Sequence, residues 1–409
     1  MFSKKEIKKI RLNFPILKKK ILGQRIIYFD NSSTTQKPKF LIRSINNYYL
    51  NYNSNINRIN YYLSNKTNLL IEKTRIYLKK FINAKFSSEI IFTKGTTESI
   101  NLISKSLNFK KNDEIVITGL EHHSNILPWQ LLRIEKNIRL RVVRINSQYN
   151  ISLSTLSNYI NKNTKIVSIT HISNVFGTIL PIESIVKYIR SYNPNILILL
   201  DSAQSIAHIP IDVQKLDIDF LVFSAHKIYG PTGLGILYGK KEILKSMNKY
   251  QVGGNMVKDV KIKRTLYLSI PNKFEAGTPN ISSIISFYSV LKYIRYLNIN
   301  RIYSYEKSLL EYTKKLFLKN NKIISYTSKN LNTTSIFSFN IKKINNFDIG
   351  CLLNNYAIFV RTGYQCSQPL FQMLKIKNGC VRISYGVYNN KEEIKKVYNS
   401  ILKIIKEYS

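Results

Sequence analysis

The chain has 409 residues, 44% of them hydrophobic, and its 63 lysines and arginines against 23 aspartates and glutamates give a net charge of +40. This length is too great for one compact core and predicts two domains, or one large domain with a smaller satellite. No apolar run of about 18 residues or more occurs, so a membrane-spanning helix is not expected.

The N-terminal segment and the cysteines bear on the compartment. MFSKKEIKKIRLNFPILKKK contains Glu6 and lacks a long apolar stretch and a small-residue cleavage site, so it is a poor secretory signal. Cys351, Cys366 and Cys380 are too few for a disulfide framework, which predicts a reducing, cytoplasmic location. The histidines form no HExxH motif and no CxxC pair occurs, so no metal site is expected.

The positive charge has two interpretations. One is a basic nucleic-acid-binding protein without catalysis. The other is a compositional bias, because Lys, Asn, Ile and Tyr are abundant together, as in NYYLNYNSNINRINYYLSNK, and the basic residues are scattered along the chain. No nucleic-acid-binding motif occurs, so the sequence favours the bias and predicts no specific nucleic-acid partner.

Between Ile90 and Tyr238 short apolar runs alternate with helical patterns. The runs are EIIFT, EIVIT, KIVSIT, ILILL, FLVFS and LGILYG. Strands that alternate with helices predict an α/β fold with a mostly parallel central sheet covered by helices on both faces.

The pattern changes after about residue 285. Helices are predicted over Ile285–Leu297 and Tyr303–Asn320, followed by short strands in TSIFSFNI and AIFVRTG and a final amphipathic helix over Lys391–Tyr408. We therefore predict a large α/β domain over residues 25–285 and a smaller α+β domain over residues 1–24 and 286–409.

Polar side chains follow five of the six predicted strands of the large domain. In open α/β sheets ligands bind beyond the carboxyl ends of the strands, so these side chains are candidates for one site. They are, strand by strand, Thr96 after Gly95; His122 and His123; His171 and Asn174; Asp201 and Gln204; and His226 and Lys227.

Three of these residues together favour a cofactor. Thr96 would begin a helix, and the backbone N–H groups at that helix N-terminus would bind a phosphate. An ordinary N-cap has the same sequence pattern. Asp201 follows an apolar strand, which suits either a buried carboxylate or another helix cap. Lys227 leaves a buried strand, where a lysine loses its proton easily and becomes a nucleophile or base. A phosphate cradle, a carboxylate and such a lysine suggest pyridoxal phosphate.

His123 has two interpretations, a ring-stacking or proton-transferring group or an ordinary satisfied histidine. Motifs of rival phosphate sites are missing. GPTGLG, which starts at Gly230, has neither the P-loop nor the dinucleotide-binding spacing.

The motifs make the chain recognisable. It resembles the SufS-type cysteine desulfurases, which are fold-type-I pyridoxal phosphate enzymes, over nearly its whole length. The motifs that carry the resemblance are YFDNSSTTQKP, GTTESINL, EHHSNILPWQ, THISNVFGT, DSAQS, SAHKIYGPTGLGILY, FEAGTPN, RTGYQC and VRIS.

The resemblance implies a role for each site residue. Lys227 would bond covalently to the cofactor, Asp201 would hold its pyridine nitrogen, and Gln204 its phenolic oxygen. His123 would stack on the ring and assist proton transfer. The phosphate would be held by Thr96, Ser224 and His226 and, from the neighbouring subunit of a homodimer, by Thr278. Asn174 and Arg382 would bind the carboxylate of the substrate.

Cys366 is the residue that distinguishes a desulfurase. A cysteine on a polar loop behind an arginine is a better reactive thiolate than a buried one, and Cys351, in an apolar helical pattern, is expected in the core. The resemblance implies that Lys227 removes the Cα proton of L-cysteine and that Cys366 takes the sulfur as a persulfide, leaving alanine. A SufE-like acceptor protein would then receive the sulfur for iron–sulfur cluster assembly.

Two alternatives on the same scaffold stay open, a selenocysteine lyase and an aminotransferase. The sequence also departs from the family's pattern, with Asn57 before Arg58, Tyr364 and Gln365 before the cysteine, and Ser32 and Ser33 in place of two alanines.

Overall fold

The fold was analysed in a computed structural model, which describes residues 1–21, 23–57, 60–327 and 332–408. Its strands, in chain order, are β1 Lys20–Ile21, β2 Gln24–Arg25, β3 Ile27–Tyr28, β4 Ile90–Thr93, β5 Glu114–Thr118, β6 Arg139–Val143, β7 Thr164–Thr170, β8 Leu197–Asp201, β9 Phe220–Ser224, β10 Gly235–Gly239, β11 Val257–Lys261, β12 Arg264–Tyr267, β13 Ile323–Ser325, β14 Ile336–Ile341, β15 Ile358–Phe359 and β16 Val381–Ser384.

The α-helices lie between and after these strands. They are α1 Lys4–Arg11, α2 Lys39–Asn51, α3 Tyr62–Phe81, α4 Thr96–Ser106, α5 Leu127–Lys136, α6 Leu153–Ser157, α7 Ile182–Tyr192, α8 Lys241–Ser246, α9 Ile281–Leu297, α10 Ile299–Phe317, α11 Asn346–Asn354, α12 Gln368–Met373 and α13 Lys391–Tyr408. In the part of the chain that the structure describes, none of these helices has the length and apolar character needed to cross a membrane.

The central sheet has seven strands in the order β4-β10-β9-β8-β7-β5-β6. The five strands from β9 to β6 run parallel, and β10 alone is antiparallel to both of its neighbours. Strands β4, β5, β7, β8 and β9 therefore all end at the same edge. The predicted α/β fold with a mostly parallel sheet is confirmed.

Both faces of this sheet are buried. Successive residues of a strand point to opposite faces, and in β8 Ile198 and Leu200 join one apolar cluster while Leu199 joins the other. The first cluster includes Ile185 of α7 and the second includes Ile103 of α4, so helices cover each face. This explains why the strands read as continuous apolar runs without alternation.

A smaller antiparallel sheet forms in the C-terminal part, in the order β13-β14-β16. Phe317 of α10 packs edge-on against Phe337 and Phe339 of β14. The N-terminal segment joins this region, because Arg11 of α1 forms an ion pair of 2.8 Å with Glu393 of α13. The domain boundaries at residues 24 and 285 stay a prediction.

Two details differ from the sequence prediction. The predicted helices after residue 285 begin four residues earlier, at Ile281 and Ile299. Cys351 is exposed and is not in the core. On α11 the apolar side chains that are buried, Ile349 and Leu353, are four residues apart on one face, and Cys351 lies halfway between them on the opposite face.

Candidate active site

A cavity of about 260 Å³ lies at the sheet edge where the parallel strands end. It brings together most of the residues predicted from the sequence, although they are spread over almost 300 positions. Those on its wall are Thr96, Asn174, Asp201, Gln204, Ser224, His226, Lys227, Cys366 and Arg382. Three predicted residues, His123, His171 and Thr278, do not line it.

Lys227 enters the cavity because β9 ends at Ser224 and a short 3-10 helix, Ala225–Lys227, turns the chain over the sheet edge. Burial lowers the pKa of the Lys227 amine, and the charge of Asp201 partly opposes this effect. The amine is therefore closer to its neutral, nucleophilic form than a surface lysine.

Asp201 is the last residue of β8 and is only 4% exposed. Its Oδ1 accepts a hydrogen bond of 2.8 Å from the backbone N–H of Ala203. Burial raises the pKa of this carboxyl, while that hydrogen bond and the Lys227 charge lower it. A carboxylate placed in so apolar a position needs a cationic or hydrogen-bonding partner inside the cavity.

The N-terminus of α4 faces the end of β9. The backbone N–H and the hydroxyl of Thr96 both lie 2.8 Å from the Ser224 hydroxyl. Nearby, burial first and then Lys227 lower the pKa of His226 to about 4, so its ring is neutral near pH 7. A helix N-terminus with hydroxyls beside it is a suitable site for a phosphate.

Of the two neighbouring histidines, His122 lines the cavity and His123 does not. His122 lines the cavity, and its Nδ1 accepts a hydrogen bond of 3.1 Å from the backbone N–H of Ser124. Burial first, then Lys227, lowers its pKa to about 3. His123 begins a 3-10 helix and points elsewhere, its Nε2 accepting from the backbone N–H of Gln368.

Arg382 and Asn174 form one hydrogen-bonded group on the cavity wall. Arg382 is 3% exposed and donates to the Asn174 carbonyl at 2.8 Å and to Asp30 Oδ1 at 3.0 Å. Gln204 is also buried, and its Nε2 donates to the Ser32 carbonyl at 3.0 Å.

Cys366 lies on the loop between β15 and α12 and is half-buried. Gln365 and Cys366 both have positive φ, +53° and +57°, so the backbone makes a tight left-handed turn that presents the thiol to the cavity wall. The loop is anchored on both sides. Asn174 Nδ2 donates to the Gln365 carbonyl, and the His123 N–H donates to the Cys366 carbonyl, each at 2.8 Å.

Thr278 is exposed and borders a second cavity of about 460 Å³. Its loop begins at Glu275, whose carboxylate forms two hydrogen bonds, of 2.8 and 2.9 Å, with buried Arg75. The loop is therefore anchored at one end, and Thr278 does not line the cavity that holds Lys227 of the same chain.

The sequence interpretation missed several cavity residues. They are Ser32, Ser33, Thr97, Ser124, Thr170, Ala203, Arg361 and Gln365. Most directly neighbour a predicted residue. The signal for Arg361 was its position at the start of RTGYQC. It reaches the site because Arg361 and Arg382 form a backbone bridge.

The arrangement fits pyridoxal phosphate. The hydroxyls at the N-terminus of α4 suit the phosphate, the buried Asp201 suits a protonated pyridine nitrogen, and the Lys227 amine suits a carbonyl carbon. No group of three potential metal ligands occurs among the residues that the structure describes.

Comparisons with known proteins agree with this chemistry. The aminotransferase class-V family model matches residues 27–397. A cysteine desulfurase of Wigglesworthia glossinidia brevipalpis is 43% identical over 404 residues, which cover 98% of each chain.

Solved structures give the same picture. The apo cysteine desulfurase of Thermococcus onnurineus NA1 superposes with a TM-score of 0.92 at 33% identity, over 99% of each chain. A C-DES mutant with glycine covalently linked to its PLP cofactor shares the fold, with a TM-score of 0.83 at 21% identity over 98% of this chain and 99% of that one. The chain therefore belongs to the cysteine desulfurases of the aminotransferase class-V family.

Proposed function

We propose that this protein removes sulfur from L-cysteine, giving L-alanine and a persulfide on Cys366. The observation that carries the proposal is one cavity that holds the Lys227 amine, the Asp201 carboxylate and the Cys366 thiol together. A plain aminotransferase has no use for the cysteine.

Pyridoxal phosphate would be held by residues of this cavity. Thr96, Ser224 and His226 would bind the phosphate, Asp201 and Gln204 the ring substituents, and Lys227 the carbonyl carbon. We assign the ring-stacking role to His122 in place of His123, because His122 lines the cavity. When bound, the cofactor supplies an electron sink for the pair left at Cα.

The side chains of this protein would perform the remaining steps. Arg382 and Asn174 would orient the substrate carboxylate. Lys227, with its lowered pKa, would accept the Cα proton. The Cys366 thiolate would attack the substrate sulfur, so that a new S–S bond forms while the substrate C–S bond breaks. The electron pair of the broken C–S bond stays on Cβ, and protonation of Cβ gives alanine.

We further propose the branch of cysteine desulfurases to which the chain belongs and the kind of protein that accepts its sulfur. Only four residues separate Arg361 from Cys366, and both neighbours of Cys366 along the backbone are hydrogen-bonded. A loop held so close does not carry its persulfide far, so the acceptor must come to the cavity mouth. This supports the SufS-type branch with a SufE-like acceptor for iron–sulfur cluster assembly. Cytoplasmic location stays a prediction from the sparse cysteines.

A homodimer is proposed on the position of Thr278. Its loop is anchored by the buried Arg75–Glu275 pair, and Thr278 does not line the cavity of its own chain that holds Lys227. Thr278 therefore serves a cavity only when a second copy of the chain supplies one, as the sequence motif implies.

Replacement of Cys366 tests the proposed function. We expect Cys366→Ala to bind pyridoxal phosphate with an unchanged visible spectrum but to lose alanine release from L-cysteine, because the sulfur has no acceptor. Cys351→Ala is the matched control and should keep full activity, since Cys351 is exposed on α11.

Full turnover by Cys366→Ala would contradict the persulfide mechanism. If that variant lost cysteine turnover but kept activity on selenocysteine, the selenocysteine lyase alternative would be favoured instead. Pyruvate-dependent amino transfer that is independent of Cys366 would favour the aminotransferase.

A further inference from the structure

Both terminal nitrogens of Arg382 donate hydrogen bonds within the site. Nη1 donates to the Asn174 carbonyl at 2.8 Å, and Nη2 donates to both Asp30 Oδ1, at 3.0 Å, and the Ser33 hydroxyl, at 2.9 Å. Nε is buried and has no partner among the residues that the structure describes. Nη2 therefore already has one acceptor for each of its two hydrogens, beside an Nε–H without a partner.

This arrangement limits how Arg382 can bind a carboxylate. A guanidinium binds a carboxylate best through two parallel N–H groups on one edge, and Nε shares its edge with Nη2. A carboxylate that accepts a hydrogen bond from Nε can also accept one from Nη2 only if Asp30 or Ser33 gives up its own hydrogen bond from Nη2. The neutral Ser33 hydroxyl is the weaker acceptor of the two, so it is the one to be displaced.

Ser33 is well held for such a role. Its hydroxyl donates to Asp30 Oδ1 at 2.7 Å and accepts from Arg382, and its backbone N–H donates to the Asp30 carbonyl at 3.2 Å. The residue is half-buried and lines the cavity, so a ligand reaches the same Arg382 hydrogen.

We propose that Ser33 sets the affinity of the site for amino-acid carboxylates, because its hydroxyl competes with the ligand for an Arg382 N–H. This inference rests on the proposed function in one respect, the binding of an amino acid at Arg382. Removal of the hydroxyl leaves a buried donor without a partner, and a bound carboxylate restores that hydrogen bond. Loss of Ser33 therefore strengthens carboxylate binding.

Ser32 provides a matched control. It is the preceding residue and lines the same cavity, but its own hydroxyl is buried with no hydrogen-bond partner in the described part of the chain. Ser32→Ala and Ser33→Ala each remove one hydroxyl from the same cavity, and of the two hydroxyls only that of Ser33 is hydrogen-bonded to Arg382.

The experiment compares two probes that differ by a carboxylate, L-alanine and ethylamine, titrated by calorimetry into the pyridoxal phosphate-loaded enzyme. We expect Ser33→Ala to lower the Kd of L-alanine about five-fold, the effect of one ordinary hydrogen bond, and to leave that of ethylamine unchanged. The KM for L-cysteine should fall in parallel with kcat unchanged, and Ser32→Ala should alter neither constant.

An unchanged or raised Kd for L-alanine in Ser33→Ala would overturn the inference, as would an equal change for ethylamine, which would indicate an altered cavity shape. Because the calorimetric measurement needs no turnover, an enzyme that binds L-alanine as described but releases no alanine from L-cysteine would refute the proposed function and leave the role of Ser33 intact.

Discussion

Lys227 and Asp201 illustrate how burial creates reactivity at single residues. Burial shifts the pKa of each group toward its neutral form, and the attraction between the two opposes both shifts. In the folded protein without the cofactor, burial of these two ionisable groups costs stability, and the same burial gives them the pKa shifts that the chemistry uses.

Asp201→Asn separates these two effects. We expect the variant to lose about 100-fold or more in alanine release, because the amide cannot balance a protonated pyridine nitrogen. The folded pKa of Asp201 is raised, so its stabilising contribution is complete below the unfolded value and is lost as pH rises through the folded one.

In the cofactor-free protein, the Tm of Asp201→Asn relative to the unchanged chain should therefore increase from pH 4 to pH 9, by the order of 2 °C. A variant whose relative Tm falls over that range would show that Asp201 is stabilised as a carboxylate by other groups.

Residue assignments were predictable where the residue type is itself the signal. Lys227, Asp201 and Cys366 carry chemistry that few neighbours share, and the structure brings all three to one cavity. The choice between His122 and His123 depends on which residue precedes a 3-10 helix. If the 3-10 helix began one residue earlier or later, the other histidine would point to the cavity. The motif EHHSN does not reveal where that helix begins.

At the scale of elements, the cofactor cradle depends on the close approach of β10 to the start of α4. Gly235 lies between Thr93 of β4 and Ser224 of β9. A Cβ on Gly235 would overlap the backbone of Gly95, which directly precedes α4. The absence of a side chain there lets Thr96 approach Ser224.

Gly235→Ala should therefore weaken both the fold and cofactor binding. We expect a loss of about 1–3 kcal/mol in unfolding free energy, because backbone atoms must move, and a higher Kd for pyridoxal phosphate measured by absorbance titration. Gly254→Ala is the control, since a Cβ there meets nothing within 4 Å. An unchanged Kd in Gly235→Ala would show that the cradle does not depend on this packing.

The elements themselves were largely predictable from the sequence. Parallel strands buried on both faces give apolar runs such as ILILL, and the structure has β8 there. Antiparallel pairing of β10 was not predicted, because LGILYG is as apolar as its parallel neighbours. Cys351 is exposed because it lies on the face of α11 opposite Ile349 and Leu353. The sequence did not reveal which face is buried, because α11 has apolar residues on more than one face.

At the scale of the whole molecule, the proposed homodimer assigns each cavity residues from two chains. Mixed dimers of Lys227→Ala and Thr278→Ala, purified with two different tags, test this arrangement. One cavity of such a dimer would carry both defects and the other none, so about half of the unchanged activity should return. Mixed dimers no more active than the two parent variants would contradict the assignment of Thr278 to the partner.

The proposed chemistry depends above all on a covalent bond between Lys227 and pyridoxal phosphate in this cavity. The purified protein is incubated with pyridoxal phosphate, and borohydride reduces the lysine–cofactor bond to a stable one. Peptide mass spectrometry then locates the labelled lysine. We expect a single labelled site, Lys227, and no label at that site when L-cysteine is added before reduction. An absence of label, or label spread over surface lysines alone, would contradict it, and duplex DNA binding that survives physiological salt would then favour the nucleic-acid alternative.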